Sequence, residues 1–194
     1  MNMSYKEFLS AIAILITLIA FAPYIYAILK NTTKPHVFSW FIWGATTFVV
    51  FLAQLQGNAG VGAWAIGVSG IITIFIALLA YWKRADVAIT RTDWWFLFAA
   101  MFSLPLWYAT SDPLAAVVVL TVVDALGFGP TLRKVYAAPR SESLMFFALF
   151  ALRNTIVVLA LEHYSVTTVL FPAVMAAACV LVIVIMLYRR HIVP

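Results

Sequence analysis

Seven apolar stretches follow one another along the chain, each close to the ~20 residues that cross a bilayer as a helix. They run approximately Phe8–Leu29, Val37–Gln56, Val61–Trp82, Trp94–Thr110, Pro113–Tyr136, Ser143–Leu161 and Ser165–Tyr188, and polar residues gather in the joints between them. The first stretch carries Pro23 and aromatic residues near its end and has no small-residue cleavage site. It is expected to be a retained helix and not a removed signal peptide. No soluble domain, long linker or disordered tail is expected.

The pattern also repeats. Phe21-Ala22-Pro23, then Lys30 and Lys34, then Ser39-Trp40-Phe41, reads as a variant of Phe128-Gly129-Pro130, then Arg133-Lys134 and Arg140, then Met145-Phe146-Phe147. Each copy is a helix end with proline, a short basic loop and an aromatic start to the next apolar run. Lys83-Arg84 after the third stretch corresponds to Arg189-Arg190 after the seventh. Stretches one to three therefore match five to seven, and the fourth links them. Three crossings reverse the side on which a chain emerges, so one extra crossing lets the second triplet insert in the orientation of the first. The copies are then parallel, related by an axis along the membrane normal, as in transporters built from repeated bundles. The expected fold is an all-α membrane protein with seven transmembrane helices, as two parallel three-helix bundles joined by a linker helix (3+1+3). Residues 1–86 form the first repeat, 87–111 the linker and 112–194 the second repeat.

Composition agrees with a lipid solvent. Hydrophobic residues are 65% of the 194 and charged residues 10%, against roughly 25% charge in a soluble chain. The formal charge of +5 does not point to nucleic acid, because the basic residues lie in short loops between apolar runs. Lys30, Lys34, Lys83, Arg84, Arg91, Arg133, Lys134, Arg140, Arg189 and Arg190 fall on one side of the expected membrane; Lys6 falls on the other and Arg153 inside a run. The positive-inside rule then puts the amino terminus outside and the carboxyl terminus in the cytoplasm. The single cysteine, Cys179, sits among Ala and Val, forms no intrachain disulfide and is expected to pack as a small hydrophobe.

With this layout in hand, the chain resembles the SWEET and PQ-loop superfamily of small-solute transporters, in an uncharacterised bacterial branch. Pro139-Arg140-Ser141-Glu142-Ser143-Leu144 and the preceding Gly129-Pro130 look like the loop entering the sixth helix of SWEET proteins. Pro23 and Pro130 match that family's helix-kinking prolines. Tyr24 and Thr131 follow those prolines where the family has glutamine, and the prolines of its second and sixth helices are absent, with Met145 near the latter position. Sugar-transporting members place asparagines in helices three and seven; here Ser69 and Thr73, then Met175 and Cys179, stand instead. Trp40-Phe41-Ile42-Trp43 is similar to the paired tryptophans of Pnu-type vitamin transporters, which share the layout. The resemblance implies alternating access of a sugar or vitamin-like solute between two triple-helix bundles, and residence in a bacterial cytoplasmic (inner) membrane.

Three sets of residues are candidates for chemistry. Asp124 and Arg153 each fall about 16 Å along a helix, near the middle of a ~30 Å hydrocarbon core. Ionisable groups at that depth are functional candidates by default. Their opposite signs and shared triplet lead us to expect an ion pair, either contacting substrate or proton, or locking the second bundle. The first copy has Thr17 and Thr47 at the matching positions. The second set is aromatic and polar: Trp40, Trp43 and Thr47, Phe146 and Asn154, Trp64 and Ser69, the kind of wall that a solute site needs. Trp40, Trp94 and Trp95 lie near run ends and also fit an interfacial belt. The third set is backbone. Pro23 and Pro130 each free a carbonyl four residues upstream (Ile19 and Leu126) and are candidate hinges. Pro105, Pro113 and Pro172 read as ordinary kinks or helix starts, and Gly62, Gly67 and Gly70 as close-packing positions.

An enzyme is not expected. His36, His163 and His191 fall at run ends on both sides and share no metal; no cofactor is expected; Glu162 and Asp112 read as solvated loop charges. The site residues expected for a small-molecule solute are Trp43, Thr47, Ser69, Asp124, Arg153 and Asn154. The other reading is a non-transporting accessory or scaffold subunit of a larger membrane complex, binding pigment or lipid. A homo-oligomer is compatible with either. A central polar pocket lined by both triplets favours transport; a dry, fully packed bundle favours the scaffold.

Overall fold

Helix begins wherever the sequence supplies a cap. Ser4 accepts from the Glu7 backbone N–H while the Glu7 carboxylate accepts from that of Ser4, a reciprocal capping box that starts α1 (Tyr5–Leu29). Pro113 takes the first position of α5 (Pro113–Ala137), where its missing N–H costs nothing, and the preceding Asp112 carboxylate accepts from Leu114 N–H at 2.9 Å. Ser143 caps α6 (Leu144–Ala160) by accepting from Phe146 N–H at 3.2 Å. The remaining helices are α2 (Val37–Gln56), α3 (Trp64–Trp82), α4 (Arg91–Thr110) and α7 (Val166–Ile192), with a 3₁₀ turn over Gly60–Ala63 leading into α3. The computed structural model describes residues 4–32, 35, 37–83, 91–140 and 142–192, with only the backbone of Thr92, Asp93, Pro130 and Lys134. Lys34, His36, Arg84 and Ser141, all expected in loops, lie outside the described residues.

The chain is all-helical as expected, with no strand among the described residues. Five segments are long and apolar enough to cross a membrane: Tyr5–Leu29, Val37–Gln56, Gly60–Trp82, Pro113–Ala137 and Val166–Ile192. Two of the seven expected spans fall short of that standard. α6 is apolar but has 17 residues, about 26 Å at 1.5 Å each. α4 has the length, but Arg91, Asp93, Ser103 and Pro105 dilute its apolar content. Large apolar side chains such as Leu18, Phe75, Leu78, Phe102 and Leu181 are exposed on the outside of the bundle, where lipid is the compatible medium.

Packing follows one rule in both halves. α3 packs on α1 and on α2, and α7 packs on α5 and on α6, so the third helix of each triplet joins the other two. The halves then meet through α1 on α6 and α2 on α5. α4 packs against α5 and, less extensively, α2. Glycine sets the close approaches. A Cβ on Gly44 would lie 2.8 Å from the Ile74 backbone nitrogen, and one on Gly70 3.0 Å from that of Phe48, so α2 and α3 touch nearly backbone to backbone. Gly67 accommodates the Phe51 ring. Gly62 approaches the other half, as described below. All three glycines expected at packing positions therefore sit at tight contacts.

Candidate functional site

Several polar residues of the apolar runs line a cavity of about 650 Å³ between the two halves. It is bordered by α1, α2, α3, α5, α6 and α7, and none of the described side chains of α4 lines it. Trp43, Thr47, Ser69, Asp124, Arg153 and Asn154 all line it, as does Pro23. Toward the ends of the helices that carry the basic loops, its lining includes Tyr24, Ala27, Thr131, Glu142 and Ser143. Its volume falls in the roughly 300–1,000 Å³ range of small-molecule sites.

The two buried charges do not pair. Arg153, 2% exposed, donates from Nε to Thr17 Oγ1 (3.1 Å), from Nη1 to Asn154 Oδ1 (2.8 Å) and from Nη2 to the Ala65 carbonyl (2.6 Å). Asp124, 7% exposed, accepts at Oδ1 from the Thr46 hydroxyl (2.9 Å), and Oδ2 accepts no hydrogen bond from the described residues. The expected ion pair fails because membership of one triplet does not make α5 and α6 neighbours. α7 joins them, and each turns its polar residue to the opposite half: Arg153 to α1 and α3, Asp124 to α2. These positions compare with the repeat read from the sequence. Thr17 corresponds to Asp124, and Thr47, adjacent to Thr46, corresponds to Arg153. Two charges without a mutual partner at this depth are costly, at least ~2.5–3.5 kcal/mol each on insertion scales.

Around these charges the wall is aromatic. Tyr24 stacks on Trp40 with centroids 4.8 Å apart, Trp40 meets Trp43 edge-on at 5.9 Å, and Phe21 meets Phe150 edge-on at 5.2 Å across the two halves. Trp40 therefore lines the cavity, whereas Trp94 and Trp95 are exposed. Trp64, expected in the aromatic set, is 53% exposed and contributes nothing to this wall. Asn154 is fully buried; its Nδ2 donates to the Phe150 carbonyl (2.9 Å), which aims its oxygen at the guanidinium. Tyr24, Phe21, Phe150 and Thr46 were not expected here. Thr46 is one residue from the expected Thr47, and only the rotation of α2 decides which of the two hydroxyls meets Asp124.

The opposite end of the bundle is shut. There Ala59 O accepts from Glu162 N–H (3.0 Å), Glu162 Oε1 accepts from Val61 N–H (3.1 Å), and Gln54 Nε2 donates to Thr168 O (2.8 Å). Every one of these bonds joins the first half to the second. A Cβ on Gly62 would lie 2.7 Å from the Leu161 backbone nitrogen, so the closure is a backbone contact. Glu162 is exposed, yet it is a clasp and not only the solvated loop charge expected. At the end that carries the basic loops, Lys83 donates to Leu29 O, Arg189 to Tyr136 O and Arg190 to Pro139 O, each within its own half. Compared with protein-family models, with characterised proteins and with solved structures, the chain matches none.

Proposed function

We propose that the chain is a SWEET-like carrier that moves a small solute by alternating access between two triple-helix bundles, with all seven helices crossing the membrane. The observation that carries this reading is the asymmetry of the interface: a cavity lined by both halves, with bonds between the halves at the end away from the basic loops, where the Gly60–Ala63 turn meets Glu162 and Gln54 meets Thr168. A through-pore would be open at both ends, and a scaffold would be packed dry. The shared packing rule, α3 joining α1 and α2 as α7 joins α5 and α6, supports the 3+1+3 repeat. The one-sided basic loops support a cytoplasmic carboxyl terminus in a bacterial inner membrane, and so a cavity that opens inward. Thr47→Cys in a Cys179→Ala background tests this. A membrane-impermeant thiol reagent should label it from the side of the basic loops and leave it untouched from the amino-terminal side. Equal labelling from both sides would sink the one-ended reading.

Pro23 lies inside α1 and borders the cavity, and Pro130 lies within α5 at the equivalent repeat position. We assign both a hinge role, since each leaves a carbonyl without its i+4 donor. Pro23→Ala and Pro130→Ala should fold and bind as the parent does but exchange solute several-fold more slowly in proteoliposomes. Unchanged exchange rates in both variants would remove the hinge assignment.

A further inference from the structure

The two buried charged side chains on the cavity wall, Arg153 and Asp124, do not neutralise each other, and each has bonding capacity left over. A guanidinium has five N–H groups. Arg153 uses one on each of its three nitrogens, for Thr17, Asn154 and Ala65. One N–H on Nη1 and one on Nη2 take no partner among the described residues, although the side chain is almost wholly buried and borders the cavity. A pair of N–H groups on adjacent guanidinium nitrogens is the geometry that holds a carboxylate at two points. Asp124 is the complement. Its Oδ1 takes the Thr46 hydroxyl, and its Oδ2 is left as an acceptor on the same cavity wall. Glu142, the other carboxylate bordering the cavity, lies ahead of the first turn of α6.

We infer that the solute is a small zwitterion with an apolar body, its carboxylate on Arg153 and its ammonium on Asp124. The inference rests on the carrier reading for treating the cavity as a solute site. A neutral sugar would leave both charges uncompensated in a medium that penalises them, and a simple anion would leave Asp124 so. A zwitterion satisfies both at once while remaining neutral, and so crosses the membrane without moving net charge. The body of the solute is set by Trp43, Phe21 and Phe150, which offer ring faces and edges and few polar groups. Asn154 positions the site by orienting the guanidinium, and need not touch the solute.

The test is equilibrium binding to the purified wild-type protein in lipid nanodiscs. The probes are L-phenylalanine, L-leucine, L-methionine and L-tryptophan, each beside its amine lacking the carboxylate and its acid lacking the ammonium. At least one amino acid should bind, with each of its analogues weaker by on the order of tenfold to a hundredfold, the range for a lost hydrogen bond to a charged group. In R153Q the amino acid and the acid analogue should lose that advantage; in D124N the amino acid and the amine should. The analogue comparison uses the unaltered protein, so a folding defect in either variant leaves it intact. Binding of none of the four, or of an acid analogue as tightly as its amino acid, would overturn the proposal. Uptake into proteoliposomes separates this from the carrier reading. Binding without uptake would end the carrier reading and leave the zwitterion site standing. Sugar uptake with no amino-acid binding would do the reverse.

Discussion

On the proposed carrier reading, Arg153→Met should abolish uptake in proteoliposomes and leave the unfolding free energy within about 1 kcal/mol of the parent, because the two consequences of removing the guanidinium nearly cancel. On one side, three hydrogen bonds are lost. Two of the acceptors keep other roles: the Ala65 carbonyl belongs to the backbone ladder of α3, and the Thr17 hydroxyl already donates to Ala13 O at 2.8 Å. Only Asn154 Oδ1 loses its sole described partner, a cost of roughly 1–3 kcal/mol for a stranded buried acceptor. On the other side, a buried charge with no carboxylate partner disappears, which relieves at least ~2.5–3.5 kcal/mol on membrane insertion scales. A residue kept for stability would behave otherwise: breaking a buried ion pair costs about 3–5 kcal/mol. Arg153→Lys is the sharper companion. It keeps the charge, but a single ammonium cannot span Thr17, Asn154 and Ala65 as the guanidinium fork does, so uptake should fall nearly as far. Thermal unfolding in detergent and uptake measured on the same preparations decide the matter. A loss of several kcal/mol in Arg153→Met, or wild-type uptake by Arg153→Lys, would mean that the group serves packing alone.

The helices were legible because the interruptions between apolar runs are short and well punctuated. Ser4, Pro113 and Ser143 start helices by local chemistry that any reader of the chain can recognise. The cavity residues were legible for a related reason. A polar side chain inside an apolar run must find a partner or a cavity in lipid, and Asp124, Arg153, Asn154, Thr47 and Ser69 all do. What the sequence concealed is who faces whom. The ion pair between Asp124 and Arg153 was expected from membership of one triplet. Helix order around the bundle places α7 between α5 and α6, and no local pattern records that order. The choice of Thr46 over Thr47 turns on about 100° of helix rotation, one residue's worth, fixed by tertiary packing such as the Gly44–Ile74 contact. Trp64 missed its expected place for the same reason: proximity to a run end says how deep a ring lies, and not which way it points. The clasp at Glu162 depends on Gly60, whose backbone adopts a left-handed φ of 62° and brings the turn beneath the carboxylate.

That clasp is the place where a single added side chain should move the whole conformational balance. In Gly62→Val the new side chain meets backbone on the far side, the Leu161 nitrogen at 2.7 Å and the Ala160 carbonyl carbon at 2.8 Å, with no flexible side chain to yield. Overpacking against ordinary side chains costs ~1–3 kcal/mol, and a rigid backbone contact belongs at the upper end of that range. The cost falls only on the state in which the Gly60–Ala63 turn touches the α6–α7 connection; in the state opened on that side the two have parted. A penalty of about 2.7 kcal/mol on one state changes a 1:99 balance to roughly even, at 1.4 kcal/mol per tenfold. Gly62→Val should therefore let the impermeant thiol reagent reach Thr47→Cys from the amino-terminal side, where the parent is sealed. Gly129→Ala is the control: nothing lies within 4 Å of a Cβ there, and labelling should stay one-sided. Binding of a solute that prefers the inward-open state should restore the seal in Gly62→Val. If Gly62→Val instead lowers the unfolding temperature with Thr47→Cys still shielded from the amino-terminal side, the contact is structural packing and the gate lies elsewhere.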